Sequence, residues 1–337
     1  MRIAVDAMGG DHAPKAAVLG AVLAAKEKQV ASILVGKSEV LNQELSQLED
    51  YPRDLITIKE AREVVEMCDQ PAVAVRKKRD SSIVVANTLV KDGEAAAVIS
   101  AGSTGAAMTA SLFVLGRIRG IARPAIAIPL PTPNGVTVLL DAGANAENDP
   151  RDLLQFGIMG SIYAKAVLGI AAPKIGLLSN GEEETKGNKL VLETHQLFKE
   201  SNLDFIGNAE GIDLPMGRCD VVVCDGFTGN VILKFAEGMT SAIFQMMKEE
   251  IMGSAVAKMG ALLIKPSLQR LKNRFDYSEY GGAPLLGVNG VSMISHGRSD
   301  AKAFKNAIIA AANAAKQDMI GKIRTAVEEL NQEEDNA

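Results

Sequence analysis

Short runs rich in Val, Ile and Ala alternate with longer helix-patterned stretches along most of this chain: RIAVDA, SILVG, LITIKE, AAAVISAG, PAIAIPL, VTVLLDAG, KIGLLSN, LDFIGNAEG, CDVVVCDG and VSMISHG. No other feature restricts the fold as strongly. Near-continuous apolar strands are covered on both faces, and intervening helices supply the crossovers that parallel pairing requires. The expected class is α/β, a largely parallel sheet in a three-layer α/β/α sandwich. Many of the runs end directly in Gly, Asp or Asn. In open α/β sheets ligands bind outside the carboxyl ends of the strands, so the chemistry is expected at those endings.

Two segments break the rhythm. RPAIAIPLPTPNGVTVLLD carries four prolines and the pair Asn134, Gly135, which predicts two antiparallel strands joined by a turn at a sheet edge. From Met239 to Phe275 the pattern is helical and predicts a projecting hairpin over 239–275, breaking at Gly253 and Ser254, with Pro266 as a kink or second start. There is neither a fixed-period repeat nor a low-complexity linker, so 1–337 is expected to form a single domain with this hairpin inside it. The tail EELNQEEDNA is expected to fray.

With 337 residues, 47% of them hydrophobic, the chain can bury a large core without staples. Cys68, Cys219 and Cys224 match no disulfide framework and no C-x-x-C motif, and are expected to be small buried hydrophobes in a reducing cytoplasm. MRIAVDAMGG reads as a first strand rather than a signal peptide, and no run approaches the roughly 18 apolar residues of a membrane span. The expected location is cytoplasmic, with contact at a membrane surface still open. A net charge of −5, 4% aromatic residues and no Trp argue against nucleic acid, which calls for a basic face and stacking platforms.

The usual nucleotide fingerprints are missing, as are H-E-x-x-H, G-x-S-x-G and metal-spaced histidines, so no cofactor and no metal are expected. What the strand ends offer instead is small, polar and glycine-rich. Gly102, Ser103, Thr104 and Gly105 follow AAAVIS and open a helical pattern, where backbone N–H groups suit an anion and where Ser103 or Thr104 can equally act as a helix cap. Asp225, Thr228, Gly229 and Asn230 in DGFTGN repeat that layout, with Lys234 one helical turn further on. Lys186 and Asn188 lie in the polar loop after KIGLLSN; a compact ammonium there can meet a phosphate, and at least two of Glu182, Glu183 and Glu184 are expected to be solvated. Asp141 at the end of VTVLLD is read as a structural turn aspartate. Gly9 and Gly10 permit close backbone approach after the first strand. Of His12, His195 and His296, the last sits at a strand end beside Arg298 and is the best candidate general acid.

Between Ser254 and Phe275 stand Lys258, Lys265, Arg270, Lys272 and Arg274 without an acid, interleaved with Met259, Leu262, Leu263, Ile264, Leu268 and Leu271. A basic amphipathic element in an acidic protein can dock an acidic carrier protein or an anionic lipid surface; an oligomer interface with a solvated edge is the alternative.

The segments RIAVDAMGGDHAP, SAGSTGA, GRIRGIARPA, DAGAN, KGN, DGFTGN, YGGAPLLG and HGRS, in this order and across nearly the whole chain, resemble the bacterial phosphate acyltransferases, the fatty acid/phospholipid synthesis proteins. Two positions depart from the family pattern: Ser103 stands where Asn is usual, which leaves the role of that turn to its backbone, and Arg298 stands where a small residue is common. The resemblance implies transfer of a fatty acyl group from acyl carrier protein to inorganic phosphate, giving an acyl phosphate for a later membrane-bound glycerol phosphate acyltransferase. It also implies a homodimer with an architecture similar to phosphate acetyltransferases and the isocitrate dehydrogenase group. Phosphate is already anionic, so direct attack on a thioester needs positioning, charge neutralisation and donors for the oxyanion rather than a triad. Lys186, Asn230 and His296 are then the expected catalytic residues, with Gly102–Gly105, Thr228, Gly229, Asn188, Asp225, Lys234, Gly9 and Gly10 expected to bind substrate. A nicotinamide-dependent dehydrogenase on the related architecture and a carrier-binding or lipid-binding module are the competing readings.

Overall fold

The structure is a computed structural model that describes residues 1–274, 279 and 281–335. Phe275, the expected end of the hairpin, and Tyr280 of YGGAPLLG lie outside the described residues, as does the side chain of Lys272. The chain runs β1 (Arg2–Asp6), α1 (Lys15–Lys28), β2 (Ala31–Gly36), α2 (Ser38–Ser46), β3 (Ile56–Glu60), α3 (Pro71–Lys77), α4 (Ser82–Lys91), β4 (Ala97–Ser100), α5 (Thr104–Val114), β5 (Ala125–Ile126), β6 (Ile128–Thr132) and β7 (Gly135–Leu140). It continues with α6 (Pro150–Ala166), β8 (Ile175–Leu178), α7 (Lys189–Glu200), β9 (Phe205–Ala209), α8 (Asp213–Met216), β10 (Val221–Val223), α9 (Gly226–Gly253), α10 (Ala255–Arg274), β11 (Ala283–Leu286), β12 (Val291–Ile294), α11 (Ala301–Lys316) and α12 (Met319–Asp335).

The strands form two sheets rather than one. The first has seven strands in the order β3-β2-β1-β4-β12-β11-β5, and the second has five in the order β6-β7-β10-β8-β9. The division falls at Ala127, where the chain leaves β11 for β7: β5 pairs antiparallel with β11, and β6 pairs antiparallel with β7. The proline-rich segment therefore makes the expected antiparallel edge, with Thr132 opposite Gly135 at the turn. β11 was not legible as a strand, because Pro284 inside a four-residue run reads as a turn. β11 also pairs antiparallel with β12, and the remaining pairings in both sheets are parallel.

Alternation along each strand sorts the core into two layers. Ile3, Val5, Ala97, Ile99, Val138, Leu140, Val221 and Val223 belong to one apolar cluster, under α1, α2, α6, α11 and α12. Ala4, Val98, Leu139 and Val222 belong to the other, under α3, α4, α5 and α8. Side chains at i and i+2 share a face, so the period of two delivers both layers from the same strands. Each cluster draws on both sheets, and the result is the expected α/β/α layering.

Local signals set several helix starts. NDPRD gives α6 a reciprocal cap, in which the Asp149 side chain accepts from the Asp152 backbone and the Asp152 side chain accepts from Asp149, with Pro150 in the first turn. Cys219 and Cys224 are buried as expected, whereas Cys68 is exposed, since it falls in the turn ahead of α3 rather than in a strand. The hairpin begins earlier than the pattern suggested: α9 starts at Gly226, directly after β10, and Ser254 separates it from α10. Pro266 lies inside α10. Phe227, Val231, Phe235, Met239, Ile243 and Met246 make an exposed apolar stripe along α9, and Leu263 on α10 is 85% exposed. Among the described residues, no helix is long and apolar enough to cross a membrane.

Candidate active site

The sequence-predicted residues gather at strand carboxyl ends in two sets, one on each sheet. In the seven-stranded sheet β2 and β3 follow β1 on one side, while β4 pairs on the other. The order therefore reverses between β1 and β4, the position at which open α/β sheets leave a crevice. Gly9 is held there by close approach, since a Cβ on it would stand 2.7 Å from Asp6 Oδ2 and 2.9 Å from Gly102 N. Gly10 has φ +101°, a conformation that only glycine adopts without strain. The next residue, Asp11, donates its N–H to Gly297 O at 2.8 Å, which brings the HGRS loop to the same place. His296 is exposed at the end of β12, and its Nδ1 accepts from Arg298 N at 3.1 Å.

Beneath this set lies a network that strand endings alone did not reveal. Asp6 is buried; its Oδ2 accepts from Ser100 Oγ at 2.7 Å, and Ser100 Oγ accepts from Gly102 N at 3.1 Å. Burial pushes the Asp6 carboxyl above its ordinary range, against the pull of hydrogen bonds from Ser82, Ser100, Met8 and Gly9. The Gly102 N–H is thus turned inward to Ser100. The outward donors of the turn are those of the first turn of α5, at Thr104 and Gly105, where a helix leaves N–H groups without carbonyl partners. Ser103 occupies the cap position, yet its side chain makes no capping bond.

The second set surrounds the ends of β7, β10 and β8. Asp141 is fully buried and gathers the loop after β7: Oδ1 accepts from Ile126 N, Gly143 N and Ala144 N at 3.0–3.1 Å, and Oδ2 accepts from Asn145 N and Nδ2 at 2.8 and 2.9 Å. Its structural role is as expected. Asp225 caps α9, taking the Thr228 N–H on Oδ1 at 2.9 Å and the Thr228 hydroxyl on Oδ2 at 2.7 Å. A Cβ on Gly229 would overlap the Asp141 carbonyl oxygen, so glycine is what lets α9 start against β7. Asn230 is exposed beside Gly143, where a Cβ would come within 3.3 Å of the asparagine's Cβ. Lys234 is held in an ion pair with Glu237 at 2.9 Å.

The loop between β8 and α7 completes this set. Asn188 caps α7 by accepting Val191 N on Oδ1 at 3.0 Å, which leaves its Nδ2 to face outward. Lys186 is exposed two residues earlier. Two of its acidic neighbours pair elsewhere: Glu182 with Arg218 and Glu184 with Lys199, so these two exposed carboxylates hold other cations. Asn208 donates Nδ2 to Glu183 O at 2.8 Å while His195 Nδ1 lies 2.9 Å from its Oδ1, which braces the loop from below and makes buried His195 structural.

Between α7 and α9 these residues enclose a pocket of about 590 Å³, lined on its polar side by Ser179, Asn180, Gly187, Asn188, Asp225 and Thr228. Ser179 and Asn180 follow β8 directly and could have been picked out by the same strand-end rule. Cys224 in the wall is no thiolate nucleophile: burial pushes its thiol well above the usual range, and its Sγ lies 3.7 Å from Asp141 O. What the pocket offers is neutral amides and hydroxyls together with the Asp225 carboxylate, and the exposed Lys186 directly precedes its lining residue Gly187 in the chain.

Comparison with known proteins shows what the chain is similar to. A family model described as "Fatty acid synthesis protein" matches residues 1–322. The chain is 55% identical over 330 residues to a phosphate acyltransferase from Pelotomaculum thermopropionicum, covering 98% of this chain and 96% of that one. It is 56% identical over 324 residues to the phosphate acyltransferase of Heliobacterium modesticaldum, covering 96% and 97%. Among solved structures, a phosphotransacetylase from Streptococcus pyogenes superposes with a TM-score of 0.63 at 19% identity over 94% of each chain. A 4-hydroxythreonine-4-phosphate dehydrogenase from Klebsiella pneumoniae reaches 0.54 at 12% identity, over 94% of this chain and 99% of that one. The fold is accordingly the one that these transacylases and dehydrogenases share.

Proposed function

The chain belongs to the fatty acid synthesis protein family, and from that premise we propose that it transfers a fatty acyl group from acyl carrier protein to inorganic phosphate, releasing acyl phosphate. The observation that carries this reading is the cleft at the ends of β8 and β10, where Ser179, Asn180, Asn188 and Thr228 line one pocket and exposed Lys186 directly precedes the lining residues Gly187 and Asn188 in the chain. A phosphate oxygen attacks the thioester carbonyl carbon; the C–O bond forms, the C–S bond breaks, and the electron pair leaves on the carrier's thiolate. Lys186 neutralises phosphate, while Thr228, Asn230 and the α5 turn at Ser103, Thr104 and Gly105 donate to phosphate and to the tetrahedral oxyanion. His296, at the end of β12, orients the departing thiolate. In this reading Asp225 acts through Thr228 rather than on the anion, because a carboxylate repels phosphate.

The test is to incubate the protein with acyl carrier thioester and phosphate and to trap the product with hydroxylamine. Phosphate-dependent hydroxamate is the expected outcome. Its absence at every chain length would sink the acyltransferase reading, and reduction of NAD or NADP on adding a hydroxy acid would favour the dehydrogenase instead.

The hairpin supplies the partner surfaces in this proposal. The apolar stripe on α9 suits a second copy of the chain, giving a homodimer, and the basic face of α10 suits an acidic carrier or the anionic inner face of the cell membrane, near the enzyme that consumes acyl phosphate. Arg274 is partly spent on Thr132 O and Pro133 O at 3.1 and 3.2 Å. Lys258 and Lys265 remain exposed. The double variant Lys258→Glu/Lys265→Glu is expected to raise KM for the carrier thioester about tenfold and to leave KM for a pantetheine thioester unchanged. Equal effects on both donors would take the carrier off this face.

A further inference from the structure

The pocket at the ends of β8 and β10 has a second wall that phosphate chemistry does not use. Besides its polar residues the pocket is lined by Leu153 from α6, Leu178 at the end of β8, Leu190 and Val191 in the first turn of α7, and Ile232 on α9. Leu153 is only 1% exposed and forms part of the core, whereas Leu190, Val191 and Ile232 are half-buried side chains that line the cleft. Polar and aliphatic residues from the same segments, Leu178 beside Ser179, Leu190 after Asn188 and Ile232 one turn after Thr228, thus line one cavity. Its volume, about 590 Å³, lies within the range of cavities that bury small organic ligands.

We infer that this aliphatic wall holds the alkyl chain of the acyl donor, and that Val191 and Ile232 set the chain length the enzyme accepts. The inference rests on the acyltransferase reading. A hydrocarbon tail is the occupant that fits: the carrier's pantetheine arm carries two amides and would leave them unpaired against five aliphatic residues. Each buried methylene is worth roughly fourfold in affinity, so a short stretch of such a wall can discriminate strongly between chain lengths. Val191 and Ile232 come from different helices, α7 and α9, and neither is fully buried, so each presents part of its side chain beyond the core. Val191 is fixed by the turn before it: Gly187 has φ +112° and lies so close to Val191 that a Cβ there would crowd the valine.

The experiment compares kcat/KM for short-, medium- and long-chain acyl carrier thioesters in the full chain and in Val191→Phe and Ile232→Phe, with Ile232→Ala as the opposite change. The ratio of long-chain to short-chain kcat/KM should fall at least about tenfold in the phenylalanine variants and rise in the alanine variant. Binding of cis-parinaric acid, a fluorescent long-chain fatty acid, should weaken in both phenylalanine variants. An unchanged ratio with unchanged parinarate binding overturns the inference, as does an equal loss at every chain length, which would place the carrier arm in this wall. If the wild-type protein makes no acyl phosphate yet binds parinarate through Val191 and Ile232, the pocket assignment holds and the reaction reading fails.

Discussion

Lys186→Ala should lower phosphate-dependent turnover by about 10²–10³, the loss typical of removing one preorganised electrostatic contact to a reacting anion. The reasoning runs from charge and position. Attack by phosphate brings a multiply charged anion against a carbonyl that itself becomes an oxyanion, and the polar side of the β8–β10 pocket is otherwise neutral apart from Asp225, whose carboxylate is taken up by Thr228. Lys186 is the cation on this loop, and two of its three neighbouring acids are engaged elsewhere, Glu182 with Arg218 and Glu184 with Lys199. Because its side chain is exposed, the substitution should leave the thermal unfolding midpoint where it is. The loss should fall mainly on kcat/KM for phosphate, measured by hydroxylamine trapping at varied phosphate. Asn230→Ala should follow with a smaller loss of about tenfold, as expected for one neutral hydrogen bond. A Lys186→Ala enzyme running near the wild-type rate would remove this lysine from the chemistry.

How much of this was legible without coordinates depended on range. The layered fold was, because alternation within β1, β4, β7 and β10 sends Ile3, Val5 and Ile99 to one face and Ala4 and Val98 to the other with no long-range information. The glycine positions were also legible. Gly9 and Gly229 stood out in their motifs, and both prove to be places where a Cβ would strike a neighbouring loop. The division into two sheets was not, since it turns on Ala127 switching partner between β11 and β7, and pairing across more than a hundred residues leaves no local mark. The same limit hid the inward bond of Gly102. Ser100 and Gly102 are neighbours in sequence, but the acceptor that orients the Ser100 hydroxyl is Asp6, at the end of another strand. Helix caps fell in between: Asp225 stood out in DGFTGN as a candidate for binding substrate, yet only geometry shows that it spends both oxygens on Thr228.

Asp141→Ala should be the most damaging single change to stability, costing roughly 4 kcal/mol or more in urea unfolding, at the upper end of single substitutions. The carboxylate accepts five hydrogen bonds from Ile126, Gly143, Ala144 and Asn145, and its side chain is inaccessible to water. Burial pushes its carboxyl upward, while the donors draw it back. Every one of those contacts is a donor, so the loop is built around the ionised form. Removing the acceptor strands buried N–H groups at about 1–3 kcal/mol each, part of which is recovered by water or by loop movement. Asp141→Asn should cost less than alanine but still destabilise, since it keeps one acceptor and turns an amide N–H₂ toward other N–H groups. The position also explains why damage would spread. Ile126 belongs to β5 in the seven-stranded sheet and Asp141 follows β7 in the five-stranded one, so this carboxylate fastens one sheet to the other. Gly226 and Gly229 pack against the same loop, and α9 with its Thr228 cap would lose its footing. Amide exchange should therefore quicken at Ile126 and through residues 143–145 and 226–229 together. A variant that unfolds at the wild-type urea midpoint would show that the junction is held by β-sheet pairing alone.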